Sequence, residues 1–157
     1  MINKYFSLKI LNNDFVVVTN NDKVISLDIT NKTPNFIKED NIYLINKVEK
    51  ELTNYLLGKS KELDFPFELI GTNFQKQVWE ILLNINYGNT LSYEDIAVKL
   101  GNKNKVRAVG NAVGKNPILI KVPCHRVIRK NGKLGGFSSG TDVKLKLHEI
   151  EGIKIIW

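Results

Sequence analysis

The hydrophobic residues of this chain change their spacing after the first thirty positions. Three short segments rich in β-branched and aromatic residues are separated by Asn-rich turns, and they cover residues 4–10, 14–19 and 23–29. Such segments predict a three-stranded antiparallel meander. Residues 41–57 instead carry apolar side chains at helical spacing, and Gly58 supplies a stop signal. The first part of the chain is therefore predicted to be a small antiparallel sheet with one helix.

The chain from residue 71 onward is predicted to be mainly helical. Thr72 can cap a helix that runs through residue 85, and Ser92 with Asp95 has the form of a capping box. Further helices are predicted at residues 93–100, 105–113 and 141–151. Residues 59–70, which contain Pro66, are predicted to be an extended linker. We expect an α+β protein with a scaffold domain at residues 1–70 and a functional, mainly helical domain at residues 71–157.

Positive charge is concentrated in the second of these domains. Residues 1–70 contain 9 lysines, no arginine and 10 acidic residues, which gives a net charge of −1. Residues 71–157 contain 14 basic and 6 acidic residues, which gives +8. A general bias towards lysine would spread the charge evenly along the chain. The asymmetry therefore favours a polyanionic partner such as nucleic acid.

The chain contains a single cysteine, Cys124, and two histidines. One cysteine cannot form an internal disulfide, so the chain is not an oxidised secreted scaffold. These ligands are too few for a structural zinc site, and we expect no metal. The sequence has neither an apolar run of membrane-spanning length nor a signal-peptide pattern. The cytoplasm is the expected location.

Two of the predicted helices, 93–100 and 105–113, are joined by a short turn that contains Gly101. This arrangement is typical of a helix-turn-helix, whose second helix enters a DNA groove. The second helix is basic at its start, and small residues on its surface permit close approach to a DNA backbone. A plain helical hairpin in which glycine serves packing is the alternative.

Cys124 lies in the stretch Pro123-Cys124-His125-Arg126. The thiolate is the nucleophilic form of cysteine, and cationic neighbours and a histidine base both favour its formation. The alternatives are a small buried apolar cysteine and a hydrolase nucleophile. A glycine-rich loop follows at residues 132–140, and it is either a pocket lip or a flexible surface loop.

Taken in order, these features resemble the methylated-DNA–protein-cysteine methyltransferases, also called O6-alkylguanine-DNA alkyltransferases. The resemblance covers residues 71–153. The matching positions are Phe74-Gln75, Gln77-Val78-Trp79, Ser92-Tyr93, Arg107–Gly110, Asn116-Pro117, Pro123–Ile128, Gly135–Ser138 and Glu151-Gly152. Residues 1–70 match only in layout, as a small RNase H-like sheet with a helix.

The resemblance implies a chemical role for five residues. Cys124 would attack the alkyl carbon on guanine O6, and His125 would take the thiol proton, through a water molecule. Glu151 would hold His125. Tyr93 would donate to guanine N3 as the base departs. Asn116 would brace the turn between the second helix of the helix-turn-helix and the cysteine segment.

The resemblance also implies that the damaged nucleotide is flipped out of double-stranded DNA, since a protein thiol cannot reach O6 inside the stack. Arg107 would fill the gap in the duplex. The remaining DNA contacts would be Gln75, Lys105, Ala108, Gly110 and Lys115. The base pocket would contain Val127, Phe137 and Ser138. Many members have Tyr at position 137 and Pro at position 119, where this chain has Phe137 and Leu119.

A thioether is a poor leaving group, so each molecule is expected to act once, as a monomer and without a cofactor. The expected substrate is O6-alkylguanine in duplex DNA, with O4-alkylthymine as a second candidate. Two alternatives stay open. One is a sensor that binds alkylated DNA without repairing it, and the other is a helix-turn-helix transcription factor. The few long side chains on the second helix argue against major-groove base readout.

Overall fold

A computed structural model of the chain describes residues 2–135 and 140–155. The chain forms two compact units. The first contains the residues up to Ile70 together with Pro117–Leu119, and the second contains Gly71–Asn116 and the residues from Ile120 onward. The inclusion of residues 117–119 in the first unit was not predicted from the sequence.

The first unit is built on a four-stranded sheet whose strand order is β3-β2-β1-β4. The strands are β1 (Lys4–Ile10), β2 (Asn13–Asn20), β3 (Lys23–Ile29) and β4 (Ile37–Lys38). β1, β2 and β3 pair antiparallel, as predicted, and half of the residues of β2 are buried. The two-residue β4 pairs parallel to β1 and was missed. The sheet is therefore mixed rather than purely antiparallel.

Helix α1 (Ile42–Leu56) buries its apolar stripe within this unit, and Asn41 caps its first turn. The segment 59–70 is not a free linker, because its backbone pairs with the edge strand β3. Val24 N–H donates to Pro66 O at 2.9 Å, and Glu68 N–H donates to Val24 O at 2.9 Å. Side chains of this segment are also buried. Proline and alternating polar residues hid this pairing in the sequence.

The second unit is mainly helical, which confirms the predicted α+β class. Its elements are α2 (Asn73–Leu83), β5 (Leu91–Ser92), α3 (Tyr93–Lys99), α4 (Val106–Gly114), β6 (Val127–Ile128) and α5 (Thr141–Glu151). Both predicted caps are present. Thr72 with Gln75 and Ser92 with Asp95 form complete capping boxes at the starts of α2 and α3. No helix in the described ranges is both long and apolar enough to cross a membrane.

Helix α4 packs against both α2 and α3. The contact with α2 is fixed by Trp79, which is 2% exposed and whose indole N–H donates to Ala112 O at 2.9 Å. α3 and α4 are joined through Gly101, which has a φ of 88°, and a 3-10 turn at Lys103–Lys105. This pair has the arrangement of a helix-turn-helix, with α4 as the second helix.

Candidate active site

Cys124 begins a 3-10 turn, Cys124–Arg126, and the next two residues form β6. β6 pairs parallel to β5, with Leu91 opposite Val127 and Ser92 opposite Ile128. Tyr93 follows β5 directly as the first residue of α3, so this short pairing ties the start of α3 to the cysteine segment. A two-residue strand leaves little periodicity in a sequence, and this pair was missed.

The approach to Cys124 is held by Asn116, whose Nδ2 donates to Val122 O at 2.7 Å. Between these residues Ile120 has a φ of 71°, in a region that β-branched residues rarely adopt. The Asn116 side chain also hydrogen-bonds the thiol of Cys124. Asn116 therefore holds the backbone before the cysteine and also contacts the sulfur of Cys124.

The thiol of Cys124 is 3% exposed, and burial raises its pKa to about 11. The hydrogen bond with Asn116 and the charge of Lys144 act in the opposite direction but do not overcome burial. The group is therefore a neutral thiol at neutral pH. A reaction through the thiolate needs a base that takes the proton as the nucleophile forms.

The next residue, His125, supplies a buried imidazole. Its Nε2–H donates to Glu151 Oε2 at 2.6 Å, and both side chains are 0% exposed. In the neutral imidazole this bond leaves Nδ1 unprotonated, ready to receive a proton. Burial lowers the pKa of His125, and the hydrogen bond and charge of Glu151 work against that fall.

Glu151 accepts hydrogen bonds on both of its carboxylate oxygens. Arg126 donates Nε–H to Oε1 at 2.8 Å and an Nη2–H to Oε2 at 3.1 Å, and Gly88 N–H reaches Oε1 at 3.0 Å. Arg126 also donates to Ile85 O at 2.6 Å. The carboxylate is thus fixed in place while it faces His125. The resemblance placed His125 and Glu151 together but assigned no role to Arg126 or Gly88.

Helix α5 presents a buried polar face to the cysteine segment. Lys144 donates to Val127 O at 2.8 Å and to Leu134 O at 2.6 Å. His148 Nε2–H donates to His125 O at 2.5 Å. With Glu151, these residues lie four and three positions apart, on one side of a helix. Sequence reasoning missed Lys144 and His148, although their spacing with Glu151 and Leu147 was a usable signal.

Lys144 is an unusual residue to find 0% exposed. Burial lowers its pKa to about 8, so it still carries its charge at neutral pH. Its two carbonyl acceptors belong to segments on either side of the 129–133 turn. The cation therefore ties that turn to α5 and adds positive potential near Cys124.

Tyr93 is half-buried, and burial raises the pKa of its phenol, which keeps it a proton donor at neutral pH. Its hydroxyl lies close to the backbone of Gly135, which has a φ of 73°. A Cβ on Gly135 would stand 3.2 Å from Tyr93 Oη and 3.6 Å from Lys144 Nζ. The glycine allows this segment to lie directly against the Tyr93 ring.

We expect Gly135→Ala to lower the free energy of unfolding by about 1–2 kcal/mol through backbone strain alone. The added methyl would also displace the Tyr93 ring and slow any reaction that uses its hydroxyl. Urea denaturation measures the first effect. Gly114→Ala is the matched control, because nothing lies within 4 Å of its added Cβ and its φ is not positive. A loss of stability equal to that of the control would contradict this role of Gly135.

The residues predicted to contact DNA lie on or beside α4. Arg107, Ala108, Lys105 and Lys115 are exposed, and Gly110 is half-buried. An added Cβ on Gly110 would lie 4.0 Å from Tyr93 Cδ1. Arg107 is thus free of the core and positioned on the second helix of the pair.

Gln75 is less available than the sequence suggested. Its Oε1 accepts from Thr72 N–H at 2.9 Å as part of the capping box. A phosphate contact from this residue would have to use Nε2. Lys105 lies 5.5 Å from the centre of the Phe74 ring, a cation–π distance that leaves its charge exposed.

The remaining predicted residues belong to the base pocket. Val127 is 0% exposed, its N–H donates to Cys124 O, and its carbonyl accepts from Lys144. Phe137 and Ser138 lie outside the residues that the structure describes. Within the described ranges, no three His, Cys, Asp or Glu side chains converge as a metal site would require.

Comparison with known proteins places this site in a family. Residues 73–153, just over half of the chain, match the model of the 6-O-methylguanine DNA methyltransferase, DNA binding domain. The inducible methylated-DNA–protein-cysteine methyltransferase of Bacillus subtilis is 52% identical over 101 residues. That alignment covers 64% of this chain and 56% of the relative, so the match spans little more than half of the relative's length.

Solved structures match over nearly the whole chain. The O6-methylguanine methyltransferase of Mycobacterium tuberculosis superposes with a TM-score of 0.85 at 34% identity, covering 96% of this chain and 93% of the other. A structure described as the Mycobacterium tuberculosis OGT in complex with DNA matches with a TM-score of 0.82, also at 34% identity, covering 96% and 92%. The predicted fold class and family are confirmed, and the chain belongs to the methylated-DNA–protein-cysteine methyltransferases.

Proposed function

We propose that the protein repairs O6-alkylguanine in double-stranded DNA by moving the alkyl group onto Cys124, once per molecule. The observation that carries the proposal is the buried 2.6 Å bond between His125, the residue directly after Cys124, and Glu151. A buried thiol with a raised pKa needs such a base, and a purely structural cysteine does not.

The reaction follows from these groups. The proton of Cys124 passes to Nδ1 of His125 through a water molecule, while Glu151 holds Nε2–H and stabilises the imidazolium. The thiolate attacks the alkyl carbon, an S–C bond forms, and the C–O6 bond breaks with its electron pair going to guanine. Tyr93 donates to the base as this negative charge develops. The proton that left Cys124 is the one that restores neutral guanine, so atoms and charge balance.

The nucleotide must leave the duplex to reach Cys124. Support for this step comes from the exposed Arg107 on α4 and from the net charge of +8 on residues 71–157. In this proposal Lys105 and Lys115 meet phosphates, while small residues such as Ala108 let α4 approach the duplex closely. The S–C bond of the product has no good leaving group, which makes the protein a stoichiometric reagent.

The same proposal gives the two parts of the chain different roles and favours one cellular location. Cys124, His125, Glu151 and Tyr93 all come from residues 71–157 of one molecule. This favours a monomer with residues 1–70 as scaffold. No step requires a cofactor. A free nucleophilic cysteine needs a reducing compartment, which favours the cytoplasm.

The proposal predicts a gain of mass. Protein incubated with duplex DNA that carries one O6-methylguanine should become heavier by about 14 Da, one CH₂, and the gain should map to Cys124. The measurement is intact-protein mass spectrometry followed by peptide mapping. Cys124→Ser is the control, since it keeps the size of the side chain and removes the thiol. It should bind the same DNA without any gain in mass.

Three outcomes would contradict the proposal. The same gain in Cys124→Ser would place the alkyl group elsewhere. Binding to alkylated DNA with no gain in the wild type would favour a sensor that does not repair. Preference for one undamaged sequence would instead favour a transcription factor.

A further inference from the structure

The buried polar face of α5 contains two ionisable groups that the proposed reaction does not use, Lys144 and His148. His148 is 2% exposed and lies between Lys144 and Glu151 on the same side of the helix. Its Nε2–H donates to the backbone carbonyl of His125 at 2.5 Å. A displacement of His125 would affect the reaction most, because its imidazole is the proposed proton acceptor.

The carbonyl of His125 belongs to the 3-10 turn that carries Cys124. The neighbouring carbonyls of this turn are engaged by its own backbone, since Arg126 N–H donates to Pro123 O and Val127 N–H donates to Cys124 O. The contact from His148 thus fixes a carbonyl in the middle of the turn, from a different element. It restricts rotation of the backbone that bears the His125 ring.

The charges around His148 favour a neutral imidazole. The charged groups near it on α5 are Lys144 and Glu151. The turn packed against it contributes His125 and Arg126. Burial and the positive charge of Lys144 lower the pKa of His148, although the bond to His125 O and the charge of Glu151 work against this. When His148 is neutral and its proton is on Nε2, Nδ1 carries a lone pair and no proton. Nδ1 then needs no hydrogen-bond acceptor.

We propose that His148 is a positioning residue for alkyl transfer: it holds the backbone of His125 so that the His125 ring keeps its bond to Glu151. The proposal rests on the function proposed above. It predicts that donation at position 148 matters more than the imidazole itself. Loss of the donor leaves a buried carbonyl with one partner fewer and frees the turn to move.

The test compares two substitutions. His148→Leu puts an apolar side chain of similar size in its place and removes the donor, whereas His148→Gln keeps an N–H donor on a flexible side chain. We expect His148→Leu to slow single-turnover methyl transfer about 10- to 100-fold at neutral pH. His148→Gln should stay within about threefold of wild type, since the donated bond is retained. Lys146→Gln, at an exposed position of α5, is the control.

A second measurement does not depend on activity. The chain has two histidines, so either substitution leaves His125 as the single imidazole in an NMR titration. The hydrogen bond and charge of Glu151 raise the pKa of His125, so this pKa should fall if the His125 ring moves away from Glu151. Neither variant has an imidazole at position 148, so the two are compared with each other. His125 should titrate at a lower pH in His148→Leu, whose turn is free to move, than in His148→Gln, which keeps a donor.

The outcomes separate the two proposals. A wild type that never takes up methyl would contradict the proposed function, and the titration alone would then decide the role of His148. Equal rate losses in the Leu and Gln variants would show that packing matters and donation does not, which overturns the proposal. The same His125 titration in the Leu and Gln variants would overturn it as well. Where the Leu variant does not fold, a rate loss well beyond threefold in the Gln variant would overturn it.

Discussion

Glu151→Gln should slow methyl transfer by roughly 10²–10⁴-fold, the range that a positioned general base contributes. The negative charge of Glu151 and its hydrogen bond raise the pKa of His125 against the opposing effect of burial. Glutamine removes that support, so His125 becomes a weaker base towards the Cys124 thiol. An amide N–H can also turn towards His125 Nε2 and favour the wrong tautomer. Rapid-quench single-turnover kinetics with methylated duplex DNA measures the effect.

The same substitution should lower the free energy of unfolding by roughly 3–5 kcal/mol, because it leaves Arg126 buried without its anionic partner. Arg126 is 11% exposed at its side chain and makes two of its bonds to Glu151. Urea denaturation followed by circular dichroism separates this loss from the kinetic one, provided that rates are measured where the variant is folded.

Glu149→Gln is the matched control, since it makes the same change at an exposed position of the same helix. It should alter neither the transfer rate nor stability by more than about 0.5 kcal/mol. If Glu151→Gln transfers methyl at the wild-type rate, Glu151 does not support the base and the contact with His125 is structural.

Elements with strong local signals could be predicted from the sequence. The helices around Thr72 and Ser92 begin where the caps indicated, because capping depends on residues three positions apart. The meander was predictable because its turns are local. The family was predictable because its motifs lie in order along the chain.

Elements that depend on distant partners could not be predicted. β4 and the β5–β6 pair have two residues per strand, and each is defined by a partner many positions away. The same limit applies to the site. The link between His125 and Glu151 came from a family resemblance, whereas the roles of Lys144 and His148 become visible only when α5 is placed against the cysteine segment.

The burial of so many charged groups has a functional reason. Lys144, Arg126 and Glu151 are each expensive to remove from water, and an apolar core of the same volume would be as stable or more so. Arg126 is part of the turn that carries Cys124, Glu151 bonds His125 and Arg126 of that turn, and Lys144 bonds Val127, the residue that follows it. We infer that this polar cluster is maintained for the geometry of the thiol and its base rather than for stability.

Arg107→Ala should separate base flipping from chemistry. Arg107 is exposed on α4 and is proposed to fill the gap that the flipped nucleotide leaves. Flipping costs on the order of a few kcal/mol, so loss of this side chain should slow transfer from duplex DNA roughly 10- to 100-fold. A free O6-alkylguanine base needs no flipping, and its reaction with Cys124 should be slowed less than about twofold.

Lys115→Ala is the comparison variant, because it removes an exposed positive charge near the end of α4 without removing the proposed finger. Loss of one phosphate contact should weaken duplex binding and reduce the salt dependence of binding by about one unit of slope. Its transfer rate at saturating DNA should stay near that of wild type. Equal losses of Arg107→Ala on the duplex and on the free base would show that Arg107 acts on the chemistry or on folding. In that case another residue must fill the space left in the stacked duplex.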